Sequence, residues 1–183
     1  MKKDRFYNIL FPLWFFLFIP STWLFLITFL GNAAIDSLVL ALGCKMNHKP
    51  FVSAWKKSFL GIFAFGYLAD FLGGALLLML SNVLSDPFPY AMQFNPFSNF
   101  SGFLLVALIV AIAGVLIYFI NLKISFRKLD WSLSEKRKAA LLLGVLTAPY
   151  LFLFPSILLY QYKKNSLTRL FHYQDLSHIK TAL

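Results

Sequence analysis

Hydrophobic residues run along the chain in four long, nearly unbroken stretches that are separated by short polar connections. The last three cover 59–84, 103–122 and 139–162, and each is close to the roughly 20 residues that a helix needs to cross a bilayer. The stretches are continuous and do not alternate with polar residues, which excludes a membrane β-barrel. Because backbone groups in a bilayer must bond within the protein, the pattern predicts an all-α, polytopic bundle of about four transmembrane helices. The whole chain, 1–183, forms one membrane domain in this prediction.

The first stretch, residues 10–44, is too long for one upright helix and too short for two. Pro20 followed by Ser21 is typical of a helix start, so we predict a spanning helix over 21–44. Residues 6–19 then form an interfacial or kinked lead-in. The basic start of the chain is typical of a signal peptide, but no short apolar core here ends in a small-residue cleavage site. We therefore expect this segment to be retained.

Composition supports a bilayer environment. Hydrophobic residues make up 60% of the chain and charged residues only 13%, whereas soluble domains are about half apolar and a quarter charged. The net charge of +10 comes from cations at the ends of the apolar stretches, not from a basic stripe interleaved with aromatic residues. We expect these cations to orient the chain and contact the lipid bilayer, and we expect no nucleic-acid partner. The high Phe, Leu, Lys and Asn content is typical of low-GC bacteria.

The basic residues also predict an orientation. Connection 45–57 has four Lys or Arg, connection 123–138 has six, and connection 82–101 has none. By the positive-inside rule, the first two are cytoplasmic and 82–101 lies outside the cell membrane. Four crossings then put both basic termini outside. The alternative keeps the termini inside by making the first and fourth stretches re-entrant hairpins bent at their prolines; we favour four crossings.

Little chemistry lies outside the apolar stretches. The tail, 163–183, is either frayed or a short amphipathic helix on the membrane surface. Cys44 is the single cysteine, and together with His48 it offers too few ligands for a zinc site. The sequence has no Gly-x-Ser-x-Gly elbow, no His-Glu-x-x-His and no phosphate-binding loop with Lys. It therefore predicts no metal and no cofactor, and it disfavours an enzyme.

Two acidic residues, Asp36 and Asp70, lie inside the apolar stretches. An ionised side chain near the centre of a bilayer costs about 2.5–3.5 kcal/mol on insertion scales, so each is a candidate functional residue. Thr28, Asn32 and Asp36 are spaced by four and share one face of the first helix. The short connection predicts that the first two helices are antiparallel neighbours. The two carboxylates are then expected within several ångströms of each other, beside Asn32.

Small residues at helical spacing predict faces on which another helix packs closely. Gly66 and Gly74 flank Asp70 at intervals of four, so this carboxylate is expected to point at protein. A second small-residue face lies in the third stretch. The predicted packing residues are Gly66, Gly74, Ala107, Ala111 and Gly114.

These residues lead to two main hypotheses about function. The first is a non-enzymatic membrane subunit or assembly factor, whose small-residue faces and Asp groups contact other membrane proteins or a second copy of the chain. The alternative is a small oligomeric transporter or channel that binds a cation or proton at Asp36, Asp70 and Asn32, with Thr28 as a further neutral ligand. The two acids also permit an intramembrane aspartyl enzyme, but no motif supports one. A purely structural role, in which both acids make helix–helix hydrogen bonds, is the remaining alternative.

Overall fold

The computed structural model describes residues 23–85 and 87–158. The described residues are helical and contain no strand. This confirms the predicted all-α class. The predicted lead-in over 6–19 and the tail over 163–183 lie outside the described residues, as do residues 159–162 at the end of the fourth stretch.

The described residues form five α-helices, joined by short 3-10 and π turns. They are α1 (Trp23–Met46), α2 (Phe51–Val83), α3 (Phe88–Gln93), α4 (Phe100–Ile120) and α5 (Leu133–Leu146), with 3-10 turns at Pro96–Ser98 and Tyr150–Leu153 and a π turn at Asn121–Ser125. Three helical segments of this part of the chain are long and apolar enough to cross a membrane: Phe25–Met46, Phe51–Val83 and Phe100–Ser125.

Helix α2 begins at Phe51, eight residues before the predicted start of the second span at 59. Its 33 residues make a rod about 50 Å long, which exceeds the hydrocarbon thickness of about 30 Å. The extra turns contain Lys56 and Lys57. The prediction from apolar runs missed these turns, because the two lysines interrupt the apolar run. Lys is nevertheless a good helix former, so the helix continues through them.

The fourth stretch differs most from the prediction of one helix over 139–162. Helix α5 begins earlier, at Leu133, because Ser132 and Glu135 form a complete capping box. It then ends at Leu146 after 14 residues, which is too short for a span. Pro149 explains the end, since it lacks an N–H and disfavours helical geometry in the residue before it.

The broken stretch nevertheless runs from one end of the bundle to the other. At its start, Asn47 Nδ2 donates to the backbone oxygen of Glu135 over 3.2 Å, next to the α1–α2 connection. Beyond the break, the backbone N–H of Ile157 donates to the oxygen of Phe94 over 3.1 Å, next to α3 at the opposite end. Over its described part, the stretch therefore does not fold back at Pro149 as a hairpin would.

The long helices pack in a ring, in which α1 contacts α2 and α5, and α4 also contacts α2 and α5. Two glycines face each other where α4 contacts α5. A Cβ atom placed on Gly114 would lie 2.6 Å from the backbone oxygen of Gly144, and one on Gly144 would lie 2.7 Å from the oxygen of Gly114. Only glycine permits α4 and α5 to meet at this distance.

Candidate functional site

Helices α1 and α2 bring together Asp36 and Asp70, the two acidic residues of the apolar stretches. Asn32 Nδ2 on α1 donates a hydrogen bond to Asp70 Oδ2 on α2 over 3.3 Å. Asp36, one turn further along α1, lies against Gly66, with its Oδ2 atom 3.6 Å from the Cβ position of that glycine. Both carboxylates are buried, at 5% exposure for Asp36 and 7% for Asp70. They are close enough to interact electrostatically.

The acids line a cavity of about 340 Å³ between α1, α2 and the point at which the fourth stretch unwinds. Its polar wall comes from Thr28, Asn32, Asp36, Asp70 and Thr147. The remaining wall is formed by glycine, apolar and aromatic residues, namely Ile27, Gly31, Ile35, Gly66, Tyr67, Leu146, Ala148, Pro149, Tyr150 and Leu151.

The break in the fourth stretch shapes one side of this cavity. Helix α5 ends at Leu146, and Thr147 closes it by donating from its backbone N–H and from its hydroxyl to the oxygen of Leu143, at 2.9 and 2.8 Å. The side chain of Thr147 is also a neighbour of Asp36. Because the carbonyl end of a helix carries a partial negative charge, α5 directs further negative potential at the two acids.

Cations are missing from the cavity wall. None of the described lining residues is Lys, Arg or His. Asp70 Oδ1 is buried and has no hydrogen-bond partner among the described residues. A buried carboxylate that is neither paired nor protonated is strongly disfavoured, so the site has the electrostatics to hold a proton or to bind a positively charged ligand.

The structure collects all four residues of the predicted polar site, Asp36, Asp70, Asn32 and Thr28, around one cavity. Thr28 lies at its edge, where its hydroxyl donates to the oxygen of Phe25 over 3.0 Å. Whether these residues bind a cation or proton remains a prediction. The predicted packing residues are divided: Gly66 lines the cavity and Gly74 is buried on α2.

The other predicted packing residues lie elsewhere. Ala107, Ala111 and Gly114 line a separate groove of about 480 Å³ between α4 and α5. Gly114 packs on Gly144 at its floor, and Ala111 is exposed. The described lining of this groove is mainly apolar and contains no acidic residue, and the groove shares Ala148 and Tyr150 with the carboxylate cavity.

Sequence reasoning missed Thr147, Tyr67 and Tyr150 as cavity residues. The available signal was Pro149, which marks the unwinding of the fourth stretch and hence the residues beside it.

No described group of three or more His, Cys, Asp and Glu could hold a metal ion. Cys44 is a buried free thiol, and His48 is exposed in the α1–α2 connection.

No protein-family model matches the chain, and no curated protein and no solved structure is significantly similar to it.

Proposed function

We propose that this chain is a multi-pass protein of the cell membrane that binds a cation or a proton at Asp36 and Asp70 and carries it across the bilayer, as a small transporter or channel. The observation that supports this proposal most strongly is the pair of buried carboxylates at the cavity where the fourth stretch unwinds. Asp36 is ten residues from the end of α1 at Met46, or about 15 Å along the helix. That distance corresponds to the middle of a bilayer core.

The break in the fourth stretch is the second support. Many transporters bind their coupling ion near the bilayer midplane, at discontinuous helices whose carbonyl ends and unwound backbone face the cation. Here the carbonyl end of α5 and the unwound residues Thr147–Pro149 face two acids. Ionisable residues at such depth mark ion paths and proton relays more often than structural contacts.

The proposed orientation places connections 45–57 and 123–138 in the cytoplasm and 82–101 outside. Support comes from the position of both basic connections at one end of the bundle. Lys49 Nζ lies 3.2 Å from Glu135 Oε1, and Lys57 Nζ lies 3.3 Å from Asp130 Oδ2. These two ion pairs join the α1–α2 connection and the first turns of α2 to the segment that precedes and begins α5.

Flux in liposomes tests the proposal. Purified protein is reconstituted, a membrane potential is imposed, and uptake of protons, of Na⁺ and of an organic ammonium ion is recorded for wild type, Asp36→Asn and Asp70→Asn. Each variant is expected to lower the flux at least tenfold, because the amide cannot hold a proton or neutralise a cation. Asp130→Asn is the matched control, since Asp130 is exposed and remote from the cavity. Flux that is unchanged in both cavity variants would refute the proposal.

A membrane subunit or assembly factor is the second candidate, and the groove between α4 and α5 favours it. Small residues such as Ala107 and exposed Ala111 let the backbone of a partner helix approach closely. The partner would be another membrane protein or a second copy of the chain. Extraction in mild detergent followed by native mass spectrometry tests this: a stoichiometric partner lost in Ala111→Phe supports it, and a monomer in both wild type and variant contradicts it.

A further inference from the structure

We infer that the ligand of the carboxylate cavity is a small organic ammonium ion with apolar substituents, and not a bare metal ion or a proton alone. This inference rests on the proposed cation site and specifies its ligand. The first argument is size. The cavity volume of about 340 Å³ is on the order of ten times the roughly 30 Å³ that a water molecule occupies in the liquid. It falls in the range of about 300–1,000 Å³ that is typical of pockets for small organic molecules.

The second argument is the distribution of polar and apolar wall. The two carboxylates, on α1 and α2, are the charged groups of a lining that is otherwise mainly apolar, with aliphatic side chains such as Ile35 and Leu151. A hard metal cation requires about six or more oxygen ligands distributed around it. A charged nitrogen with apolar substituents requires an anion together with hydrocarbon surface, and the lining of this cavity contains both.

The third argument is the presence of two aromatic rings. Tyr67 on α2 and Tyr150 after the break both line the cavity. Aromatic faces attract organic cations, and quaternary ammonium groups in particular, through the ring quadrupole. Tyrosines contribute this attraction without adding a formal charge that would compete with the ligand for the carboxylates.

Asp70 supplies the anchoring atom. Its side chain is 7% exposed, its Oδ2 atom accepts from Asn32, and its Oδ1 atom has no described partner. A buried acceptor without a partner carries a desolvation penalty that an incoming cation removes. Asn32 fixes the orientation of the carboxylate, so we assign Asp70 to charge recognition and Asn32 to positioning.

Gly31 gives a way to test size and charge separately. It lines the cavity, and a Cβ atom placed on it meets nothing within 4 Å. Gly31→Leu therefore adds a bulky side chain at a cavity-lining position that has room for its Cβ atom, and it removes neither carboxylate. Ala34→Leu is the matched control, because Ala34 is exposed on the same helix and does not line the cavity.

The experiment measures binding of radiolabelled benzyltrimethylammonium to the protein in lipid nanodiscs, with empty nanodiscs subtracted. Neopentylbenzene, which has the same shape without the charge, is the competing ligand. We expect saturable binding at one site per chain that neopentylbenzene does not displace. Gly31→Leu and Asp70→Asn should each weaken binding at least tenfold, while Ala34→Leu and Asp130→Asn bind as wild type does.

Several outcomes would overturn the inference. Displacement by neopentylbenzene at equal concentration would show that only apolar contact matters. Unchanged binding in Gly31→Leu would place the probe elsewhere. If benzyltrimethylammonium does not bind while proton or Na⁺ flux still depends on Asp36 and Asp70, the organic ligand is wrong and the proposed function stands. If neither binding nor flux depends on the acids, both fail. If Asp70→Asn loses its helical circular dichroism signal and is therefore unfolded, binding to Gly31→Leu still tests the inference.

Discussion

A glycine within a helix has opposite consequences at two positions of this bundle. At Gly31 on α1, an added Cβ atom would meet nothing within 4 Å, whereas at Gly114 on α4 it would lie 2.6 Å from the backbone oxygen of Gly144. Glycine weakens a helix interior by about 0.5–1 kcal/mol relative to alanine. Glycine at 31 therefore weakens α1 without permitting any close contact. Glycine at 114 weakens α4 in the same way but permits α4 and α5 to pack closely.

The same substitution at the two sites should have effects of opposite sign. Gly31→Ala is expected to raise the free energy of unfolding by about 0.5–1 kcal/mol. Gly114→Ala should lower it by about 1–3 kcal/mol, because backbone atoms must move apart. Unfolding by SDS titration, followed by circular dichroism, measures both. Equal effects of the two alanines would show that α4 and α5 do not meet at this pair.

The candidate site was predictable at the level of single residues where the signal lay within one helix. Asp36 and Asp70 stand out because they are ionisable residues inside apolar runs, and the spacing of Asn32 and Asp36 places them on one face. Thr147 has no such signal. Its contact with the site depends on where α5 stops and how the chain then passes α1, and both are set by tertiary packing.

Helix α5 illustrates how a local sequence signal sets an element. The backbone N–H of Ser132 donates to Glu135 Oε2 over 2.7 Å, and Lys49 forms an ion pair with the same carboxylate. These bonds favour the charged form, so the pKa of Glu135 lies below its ordinary value, chiefly because of the Ser132 N–H. The Glu135 carboxylate therefore connects the start of α5 to Lys49 in the α1–α2 connection. Protonation of this carboxylate at low pH removes the charge on which the connection depends.

The direction of the pKa shift fixes the pH dependence of this cap. A carboxyl group with a lowered pKa in the folded state stabilises that state above its ordinary pKa of about 4.3, and the contribution disappears as the pH falls through the folded value. Acidification from pH 6 to pH 3 should therefore destabilise wild type more than Glu135→Gln, which keeps a side-chain acceptor but no charge. Unfolding measured at both pH values tests this, and parallel pH profiles would contradict it.

Phe152 holds the unwound part of the fourth stretch in place. Its side chain is 1% exposed, and its ring lies against Gly73 of α2, with Cε2 2.8 Å from the Cβ position of that glycine. Glycine at 73 thus provides the recess that the ring occupies. The ring joins α2 to the chain just beyond the break.

Removal of this ring should loosen the fourth stretch. Phe152→Ala is expected to lower the free energy of unfolding by about 3–5 kcal/mol and to accelerate amide exchange over 147–153. Phe154→Ala is the comparison, since Phe154 is 38% exposed against 1% for Phe152 and its truncation should therefore lower stability by less. Hydrogen exchange with mass spectrometry detects the local effect. Comparable exchange in the two variants would mean that Phe152 does not fix the break.

At the scale of elements, apolar continuity located the long helices but not their ends. The third span shows this well, since the predicted 103–122 lies inside the helical segment Phe100–Ser125. The fourth stretch was predicted as one helix because its composition is continuous. Pro149 and Pro155 alone do not decide between a kinked helix and an interrupted one. Here the contacts of Phe152 and Ile157 with the rest of the bundle stabilise the interrupted form.

At the scale of the whole bundle, the described basic residues gather at one end. The basic connections, joined by Lys49–Glu135 and Lys57–Asp130, form one end. The other end is formed by α3 and the turn at Pro96–Ser98, where the described residues carry no Lys or Arg. The carboxylate cavity lies between these ends, so in the proposed orientation it lies between the cytoplasmic connections and the outer connection 82–101.

Labelling of single cysteines tests this orientation. Cys44 is buried, so Cys44→Ala removes the only thiol at a position that a small residue can fill. In that background, Ser98→Cys should react with a membrane-impermeant maleimide in intact cells, because Ser98 is exposed at the end where the described residues include no Lys or Arg. Ser134→Cys, exposed at the start of α5, should react only after permeabilisation. The reverse pattern would invert the proposed topology, and reaction of both cysteines in intact cells would show that α4, which lies between them in the chain, does not separate the two sides of the membrane.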